Sequence, residues 1–164
     1  MNRQARELRI RPMTAGDLDR LVEIAEGLEQ APHWPRLAYE AVLDPASPRR
    51  IALVAESLGV LFGFAMARLT PPQAELETIA VTAEFQRRGV ARKLFTDLAD
   101  ELRLADVHEI LLEVRASNHP ARAFYRSLGF AAAGQRPRYY ADPVEDAVLM
   151  RLGLRPPGRV GLEG

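Results

Sequence analysis

The 164-residue sequence predicts an α/β protein in which one mixed β-sheet carries helices on both faces. Two adjacent strand-like segments joined by a short turn predict an early hairpin. A strand, a helix and a second strand further along predict a crossover between parallel strands. The predicted order is β-α-α-β-β-β-α-β-α-β-β, in a single domain over residues 1–154. The segment 155–164 is rich in proline and glycine and is expected to be a disordered tail.

The first strand and the first two helices are predicted between residues 8 and 43. Residues 8–11 alternate in polarity and favour a short strand, and Thr14 is a candidate N-cap for the helix that follows. Residues 32–35 contain two prolines and interrupt the helical pattern, so a second short helix is expected from about residue 35 to 43. The apolar face of the first helix contains Leu18, Leu21, Val22, Ala25 and Leu28.

Three strands and a longer helix are predicted next. Residues 51–55 and 60–69 form the hairpin, with its turn at 57–59, and residues 74–81 form a fourth strand. From Val90 the apolar residues recur every four positions, which predicts an amphipathic helix of roughly four turns. That repeat comprises Val90, Leu94, Leu98 and Leu102, together with Ala91, Phe95 and Ala99.

The second half begins with an almost continuous apolar segment, residues 108–114. Such a segment predicts a central strand that is covered on both faces. Asn118 and Pro120 are typical of a helix start, and Gly129 is typical of the position after a helix end. Two further strands are expected near residues 130–139 and 146–152.

The composition excludes several classes of function. The 22 basic and 22 acidic side chains cancel, so no global field attracts nucleic acid or a membrane surface, and neither partner is expected. The sequence has no cysteine, which excludes disulfides, thiolate zinc sites and cysteine nucleophiles and fits a cytoplasmic location.

No targeting or metal-binding segment is expected. Residues 1–7 are not followed by the apolar core of a signal peptide. The longest apolar run, residues 58–67, is about half as long as a membrane helix requires. His33, His108 and His119 lack the spacing of metal ligands, so no metal is predicted.

The most informative segment joins the fourth strand to the amphipathic helix. A glycine at such a turn allows a ligand to approach the backbone, and the first helical turn offers unpaired N–H groups and the positive end of the helix dipole. These features favour the binding of a pyrophosphate group. The segment lacks the Gly-Lys-Ser/Thr of a P-loop and the glycine spacing of a Rossmann fingerprint. It could also be an ordinary exposed helix start. Its residues are Gln86, Arg87, Arg88, Gly89, Val90 and Ala91.

The pattern Gln-x-x-Gly-x-Ala resembles the acyl-coenzyme A loop of the GNAT N-acetyltransferase superfamily. Residues 112–118, Leu-Glu-Val-Arg-Ala-Ser-Asn, and residues 123–130, Ala-Phe-Tyr-Arg-Ser-Leu-Gly-Phe, resemble the RimI-type ribosomal-protein alanine N-acetyltransferases. The resemblance covers roughly residues 7–153 and implies the GNAT fold, acetyl-coenzyme A (acetyl-CoA) as cosubstrate and direct acetyl transfer to an amine. It also implies that Glu113 is the general base and Tyr125 the general acid.

The same resemblance implies a set of cofactor contacts. The pantetheine and acetyl group would lie along the backbone of Ile79, Ala80 and Val81, as an added strand would. The loop backbone would bind the pyrophosphate, and nearby cations would neutralise phosphate charge. Asn118 would contact acetyl-CoA, although it could simply cap the last helix. The loop and helix-start contacts would be Arg87, Arg88, Gly89, Val90, Ala91 and Arg92.

Elementary acid–base chemistry agrees with these roles. An α-amine has a pKa of roughly 8, so a modest base suffices to keep it neutral for attack. Proton transfer from a tyrosine to a thiolate is uphill by about 2 kcal/mol, so Tyr125 is expected to stabilise the departing thiolate through a hydrogen bond. Glu113 could instead be a solvent-facing strand residue or an ion-pair partner, with a water chain as the base, and Tyr125 could be a core aromatic residue.

The acceptor side is less well defined by the sequence. His33 and Trp34, between the first two helices, and Tyr139 and Tyr140, near the end, correspond to substrate-facing segments of the superfamily. Trp34 could equally be a packing residue. The expected acceptor is a protein N-terminal α-amine, including that of a ribosomal protein, and the partner is therefore a peptide or protein. A small-molecule amine and a non-catalytic acyl-CoA-binding module are the alternatives. A monomer and a homodimer are both compatible with the sequence.

Overall fold

The computed structural model describes residues 7–29 and 34–155, and these residues form one sheet with helices on both faces. The observed order of elements confirms the predicted one. His33 and residues 156–164 of the predicted tail lie outside the described residues. The strands are β1 (Arg9–Pro12), β2 (Arg50–Ser57), β3 (Val60–Thr70), β4 (Gln73–Val81), β5 (Glu109–Arg115), β6 (Ala131–Tyr140) and β7 (Glu145–Gly153). The helices are α1 (Leu18–Glu26), α2 (Arg36–Ala41), α3 (Val90–Leu104) and α4 (His119–Ser127).

The strand order in the sheet is β1-β2-β3-β4-β5-β7-β6, and among the described strands only the neighbours β4 and β5 run parallel. The β2–β3 hairpin turns at Leu58 and Gly59, whose φ angles of 52° and 78° suit the tight turns that follow the twist of the strands. Thr14 caps a short 3-10 turn at Ala15–Asp17, which leads into α1. In the described part of the chain, no helix is both long and apolar enough to cross a membrane.

Two apolar clusters lie on opposite faces of the sheet. Helix α3 packs on one face, where Leu94 and Leu98 meet Ile110 and Leu112 of β5. Helices α1 and α2 pack on the other face, against β2, β3 and Ala80 of β4. Within the described residues, this second cluster includes no residue of β5, β6 or β7. The expectation that β5 is covered on both faces was therefore wrong for one face. Its residues alternate between buried and half-buried because α1 and α2 do not extend over it.

The parallel strands β4 and β5 separate halfway along their length. Their pairing ends at Glu75 and Leu111, although the strands continue to Val81 and Arg115. Across the β3–β4 pair, Met66 is opposite Thr78 while Ala67 is opposite Leu76, so Glu77 forms a β-bulge. The fold therefore opens a gap in the middle of the sheet, with a locally bent strand on one side.

Candidate active site

A cleft of about 490 Å³ occupies the gap between the separating ends of β4 and β5. Its walls come from the segment after α1, the second half of β4 and the loop after it, the end of β5, helix α4 and the end of β6. The cleft therefore lies where the neighbouring strands β4 and β5 stop pairing. The lining residues are Leu28, Glu29, Glu77, Thr78, Ile79, Ala80, Val81, Gln86, Glu113, Val114, Arg115, Asn118, Ala121, Tyr125 and Tyr140.

The second half of β4 presents a strand edge to this cleft. Ile79, Ala80 and Val81 line it, and their register with β3 leaves the opposite edge without a partner strand in the described structure. An unpaired strand edge offers N–H and C=O groups at regular spacing, and an extended amide-containing ligand can bind there as an additional strand. The pantetheine arm of coenzyme A is such a ligand.

The loop between β4 and α3 exposes a run of backbone donors. Arg87 and Gly89 have φ angles of 61° and 79°, and Gln86 anchors the loop by donating its Nε2 hydrogen to the Val81 carbonyl at 3.0 Å. The first backbone N–H after the loop that has an acceptor is that of Lys93, which donates to the carbonyl of Gly89. Among the described residues, the N–H groups of residues 87–92 have no acceptor. Such a concave set of donors at a helix N-terminus fits a pyrophosphate.

The arginines around this loop have different local roles. The guanidinium of Arg88 lies 5.4 Å from the ring centre of Phe85, and Arg92 donates to the Ser127 hydroxyl at 2.8 Å. Arg92 therefore links the start of α3 to the end of α4, while Val90 is buried and Ala91 half-buried beneath the loop. The predicted phosphate contacts of Arg87, Arg88 and Arg92 stay predictions.

We expect Gly89→Ala to weaken coenzyme A binding by about tenfold or more, because the added Cβ would project into the open space over the loop. Because alanine is strained at the positive φ of this position, the substitution should also lower the free energy of unfolding by roughly 1 kcal/mol. Gly59→Ala is a matched control, since Gly59 has φ +78° and equally open surroundings in the distant β2–β3 turn. Calorimetric titration and thermal unfolding measure the two effects. Equal coenzyme A affinity in both variants would contradict the assignment.

Glu113 lies on the face of β5 that turns away from α3, and its side chain is 16% exposed. Nε of Arg136 lies 3.2 Å from its Oε1, and the Tyr139 hydroxyl donates to the same carboxylate. This bond raises the pKa of Tyr139. The expected alternative, an ion-pair partner, therefore holds for Glu113 in this structure, and it also leaves the carboxylate at the wall of the cleft. An oriented carboxylate in a cleft is able to accept a proton.

Tyr125 approaches the cleft from the opposite side of the sheet. It packs with the α3 cluster, in an edge-to-face contact with Phe130 at 5.8 Å between ring centres. Burial, with a smaller contribution from Tyr140, raises the pKa of Tyr125 to about 12. The hydroxyl therefore keeps its proton throughout the neutral range and remains a hydrogen-bond donor.

The raised tyrosine pKa values predict an alkaline loss of stability. The pKa of Tyr140 is also raised to about 12, mainly by burial, whereas an unfolded tyrosine ionises near pH ~10. Because the folded pKa exceeds the unfolded one, the stabilisation is complete below about pH 10 and is lost as the pH rises toward about 12. Absorbance at 295 nm and circular dichroism should show ionisation and unfolding together in that interval. Ionisation of all tyrosines near pH 10 in the folded protein would contradict this prediction.

The remaining predicted residues fall in two groups. Asn118 caps α4, with Oδ1 accepting from the Ala121 N–H at 3.2 Å, and it also lines the cleft. Tyr140 lines the cleft beneath the guanidinium of Arg115, which lies 4.4 Å from its ring centre. Trp34 instead packs on Tyr39, at 5.4 Å between ring centres, and is not among the described cleft residues. Its substrate contact stays a prediction.

Sequence reasoning missed Arg136 and Glu77. Arg136 of β6 reaches Glu113 of β5 across the intervening strand β7, and a single sequence does not reveal this strand order. Glu77 lies at the bulge of β4, lines the cleft and pairs with Arg50 at 2.7 Å. For Glu77, the only sequence signal of a role in the site was a charged residue inside a largely apolar strand. Within the described residues, no cluster of three or more possible metal ligands occurs.

An unpaired strand edge, a carboxylate and a tyrosine line one cleft, and a donor-rich loop follows the same strand, an arrangement that fits group transfer from a phosphorylated thioester carrier. Residues 18–130 match the model of the Acetyltransferase (GNAT) family, and the chain belongs to that family. This match confirms the predicted superfamily and the predicted class of enzyme, an N-acetyltransferase.

Individual proteins of known sequence or structure support the same assignment. N-alpha-acetyltransferase RimI of Mycobacterium tuberculosis is 40% identical over 144 residues, covering 85% of this chain and 88% of that protein. Uncharacterized protein ML0378 of Mycobacterium leprae is 38% identical, and the chain spans 39% of its length. The crystal structure of the ribosomal-protein-S18-alanine N-acetyltransferase from Escherichia coli superposes with a TM-score of 0.81 at 32% identity, covering 94% of this chain and 98% of that one. The predicted GNAT fold and RimI-type resemblance are thus confirmed.

Proposed function

We propose that this protein transfers an acetyl group from acetyl-CoA directly to the α-amine of a protein N-terminus. The observation that carries the proposal is the position of Glu113 and Tyr125, which line one cleft from opposite sides of the sheet. An amine and a thioester that meet between them would have a proton acceptor on one side and a proton donor on the other.

The cleft and the loop fit acetyl-CoA, the cosubstrate that the family uses. The free donors of residues 87–92 would hold the pyrophosphate, and the unpaired edge of Ile79, Ala80 and Val81 would hold the pantetheine. Acetyl-CoA supplies the acetyl group in activated form, as a thioester. A backbone N–H from the end of β4 would donate to the thioester carbonyl and polarise it for attack.

Glu113 serves as the base on the acceptor side. The acceptor amine loses a proton to the Glu113 carboxylate, directly or through one water molecule, as its nitrogen bonds to the carbonyl carbon. Arg136 and Tyr139 hold the carboxylate in place from β6. Glu29, which also lines the cleft, adds negative charge that favours a cationic group there.

Tyr125 serves the leaving group on the α4 side. With its pKa raised to about 12, full transfer of its proton to a thiolate of pKa ~8.5 would be uphill by about 5 kcal/mol. Tyr125 therefore keeps its proton and donates a hydrogen bond to the sulfur as the carbon–sulfur bond breaks, and the released thiolate takes its proton from solvent. The burial that raises the pKa also strengthens this hydrogen bond.

The proposed acceptor class rests on the relatives. The Escherichia coli protein is named for alanine acetylation of ribosomal protein S18, and the Mycobacterium tuberculosis protein is named an N-alpha-acetyltransferase. By extension we propose a protein N-terminus, including that of a ribosomal protein, and a cytoplasmic location. A small-molecule amine is the second candidate because the cleft alone is large enough for one.

The test is mass spectrometry of peptide amides with different N-terminal residues after incubation with the purified protein and isotopically labelled acetyl-CoA. We expect labelled acetyl on the α-amine of alanine-starting peptides and none on lysine side chains. Acetylation of spermidine-like or aminoglycoside amines without any acetylation of peptides would replace the proposed acceptor by a small molecule. If the protein bound coenzyme A but acetylated no amine, it would be a non-catalytic acyl-CoA-binding module.

A further inference from the structure

A second groove lies on the open face of the sheet, beside the cleft. It has a volume of about 380 Å³ and runs over the first half of β4, β5, β7 and β6, where α1 and α2 leave the sheet uncovered. Glu113 lines both the groove and the cleft, so the two cavities meet at the proposed base. An extended ligand in the groove could therefore continue into the cleft.

Paired polar side chains form the floor of the groove. Nη2 of Arg68 lies 2.6 Å from Oε2 of Glu75, and Gln73 donates to Glu109 at 3.0 Å. Arg151 faces the other carboxylate oxygen of Glu109 at 4.0 Å. Because the charges compensate one another across the strands, the floor offers hydrogen-bonding groups without a net field. That chemistry suits a neutral peptide backbone, whereas a nucleic acid or an anionic membrane requires a positive surface.

Resting on the proposed function, we infer that this groove holds the acceptor polypeptide downstream of its reacting N-terminus, in an extended conformation. Between Glu113 and Glu109 the groove follows β5 for about 13 Å, at a rise of ~3.3 Å per residue. An extended acceptor rises by a similar amount, so about four of its residues occupy the groove. The first residue lies in the cleft. A polypeptide uses both cavities, and a small amine uses only the cleft.

The chain offers a matched pair of variants for this inference. Ala133 lines the groove from the exposed strand β6, at the register shift between Ala132 and Gly134. Ala133→Arg would fill the groove with a long side chain. Ala132→Arg adds the same charge and volume at the neighbouring exposed position, which does not line the groove.

The experiment measures kcat/KM for alanine-starting peptide amides of two, four, six and ten residues. For the unmodified protein we expect a rise of about tenfold or more from two to six residues and no further rise at ten. Ala133→Arg should remove that rise and leave the dipeptide kcat/KM and the KM for acetyl-CoA unchanged. Ala132→Arg should behave like the unmodified protein. Thermal unfolding of both variants verifies that they are folded.

Two results would overturn the inference while leaving the proposed function intact. The dipeptide amide could be acetylated as efficiently as the longer peptides, or Ala133→Arg could retain the gain with length. If peptides of every length failed to react while a small amine did, the proposed acceptor itself would be wrong, and the groove assignment would fall with it.

Discussion

Replacing Tyr125 by phenylalanine is expected to lower kcat by about 100-fold or more, with the dissociation constant of coenzyme A changed less than about twofold. The substitution keeps the ring, and with it the packing on Phe130, but it removes the hydrogen bond to the departing sulfur. An interaction made only as charge develops on the leaving group affects kcat rather than ground-state binding. Steady-state kinetics and calorimetric titration measure the two quantities.

A suitable control for Tyr125→Phe is Tyr39→Phe. Tyr39 is buried in the α1–α2 cluster and does not line the cleft, so loss of its hydroxyl tests whether any deleted tyrosine hydroxyl lowers activity. We expect its kcat to match that of the unmodified protein at a temperature where both are folded. Equal kcat for Tyr125→Phe and the unmodified protein would remove Tyr125 from the mechanism.

Local patterns were sufficient to predict the elements and the donor-rich turn between β4 and α3. The four-residue repeat from Val90 and the cap at Asn118 are encoded within a few positions, and both appear where the sequence predicts them. Glu113 and Tyr125 were found through motifs, and the structure brings both to one cleft. These features depend on contacts between residues that are close in the chain.

The sequence could not predict features that depend on how strands far apart in the chain are arranged in the sheet. Arg136 of β6 pairs with Glu113 of β5 across the intervening strand β7, and the apolar pattern of these strands allows other strand orders. The open face of β5 also depends on how far α1 and α2 extend across the sheet. An alternating strand would have indicated this open face, but the apolar Leu111 hid the alternation of β5 in the sequence.

The contact between Arg136 and Glu113 also affects the interpretation of the base. A carboxylate that is 16% exposed and held by an arginine and a tyrosine has a fixed direction. Fixed direction is useful in a base, because proton transfer depends on hydrogen-bond geometry before it depends on basicity. A purely structural ion pair would have the same contacts but would not need to face a cleft. The removal of the charge alone distinguishes these two roles.

Glu113→Gln is therefore expected to lower kcat/KM by about 100-fold or more while the protein stays folded. Glutamine keeps the shape of the side chain and can still accept from Tyr139, but it cannot accept the proton of the amine. On the acidic side, the remaining rate should follow only the deprotonation of the acceptor amine, whose pKa is roughly 8. Rates from pH 6 to 9 with a dipeptide acceptor measure this.

The matched control for Glu113→Gln is Glu109→Gln, on the same strand and the same face of the sheet. Glu109 lines only the groove, so with a dipeptide its loss should leave kcat/KM unchanged. If Glu113→Gln also kept the full rate and the same pH profile, the base would lie elsewhere.

Glu77 would then be the next candidate, because its carboxylate lines the cleft and could act through water. Glu77→Gln in the Glu113→Gln background would separate a shared role from an exclusive one, since two bases that substitute for each other show a loss only when both are removed.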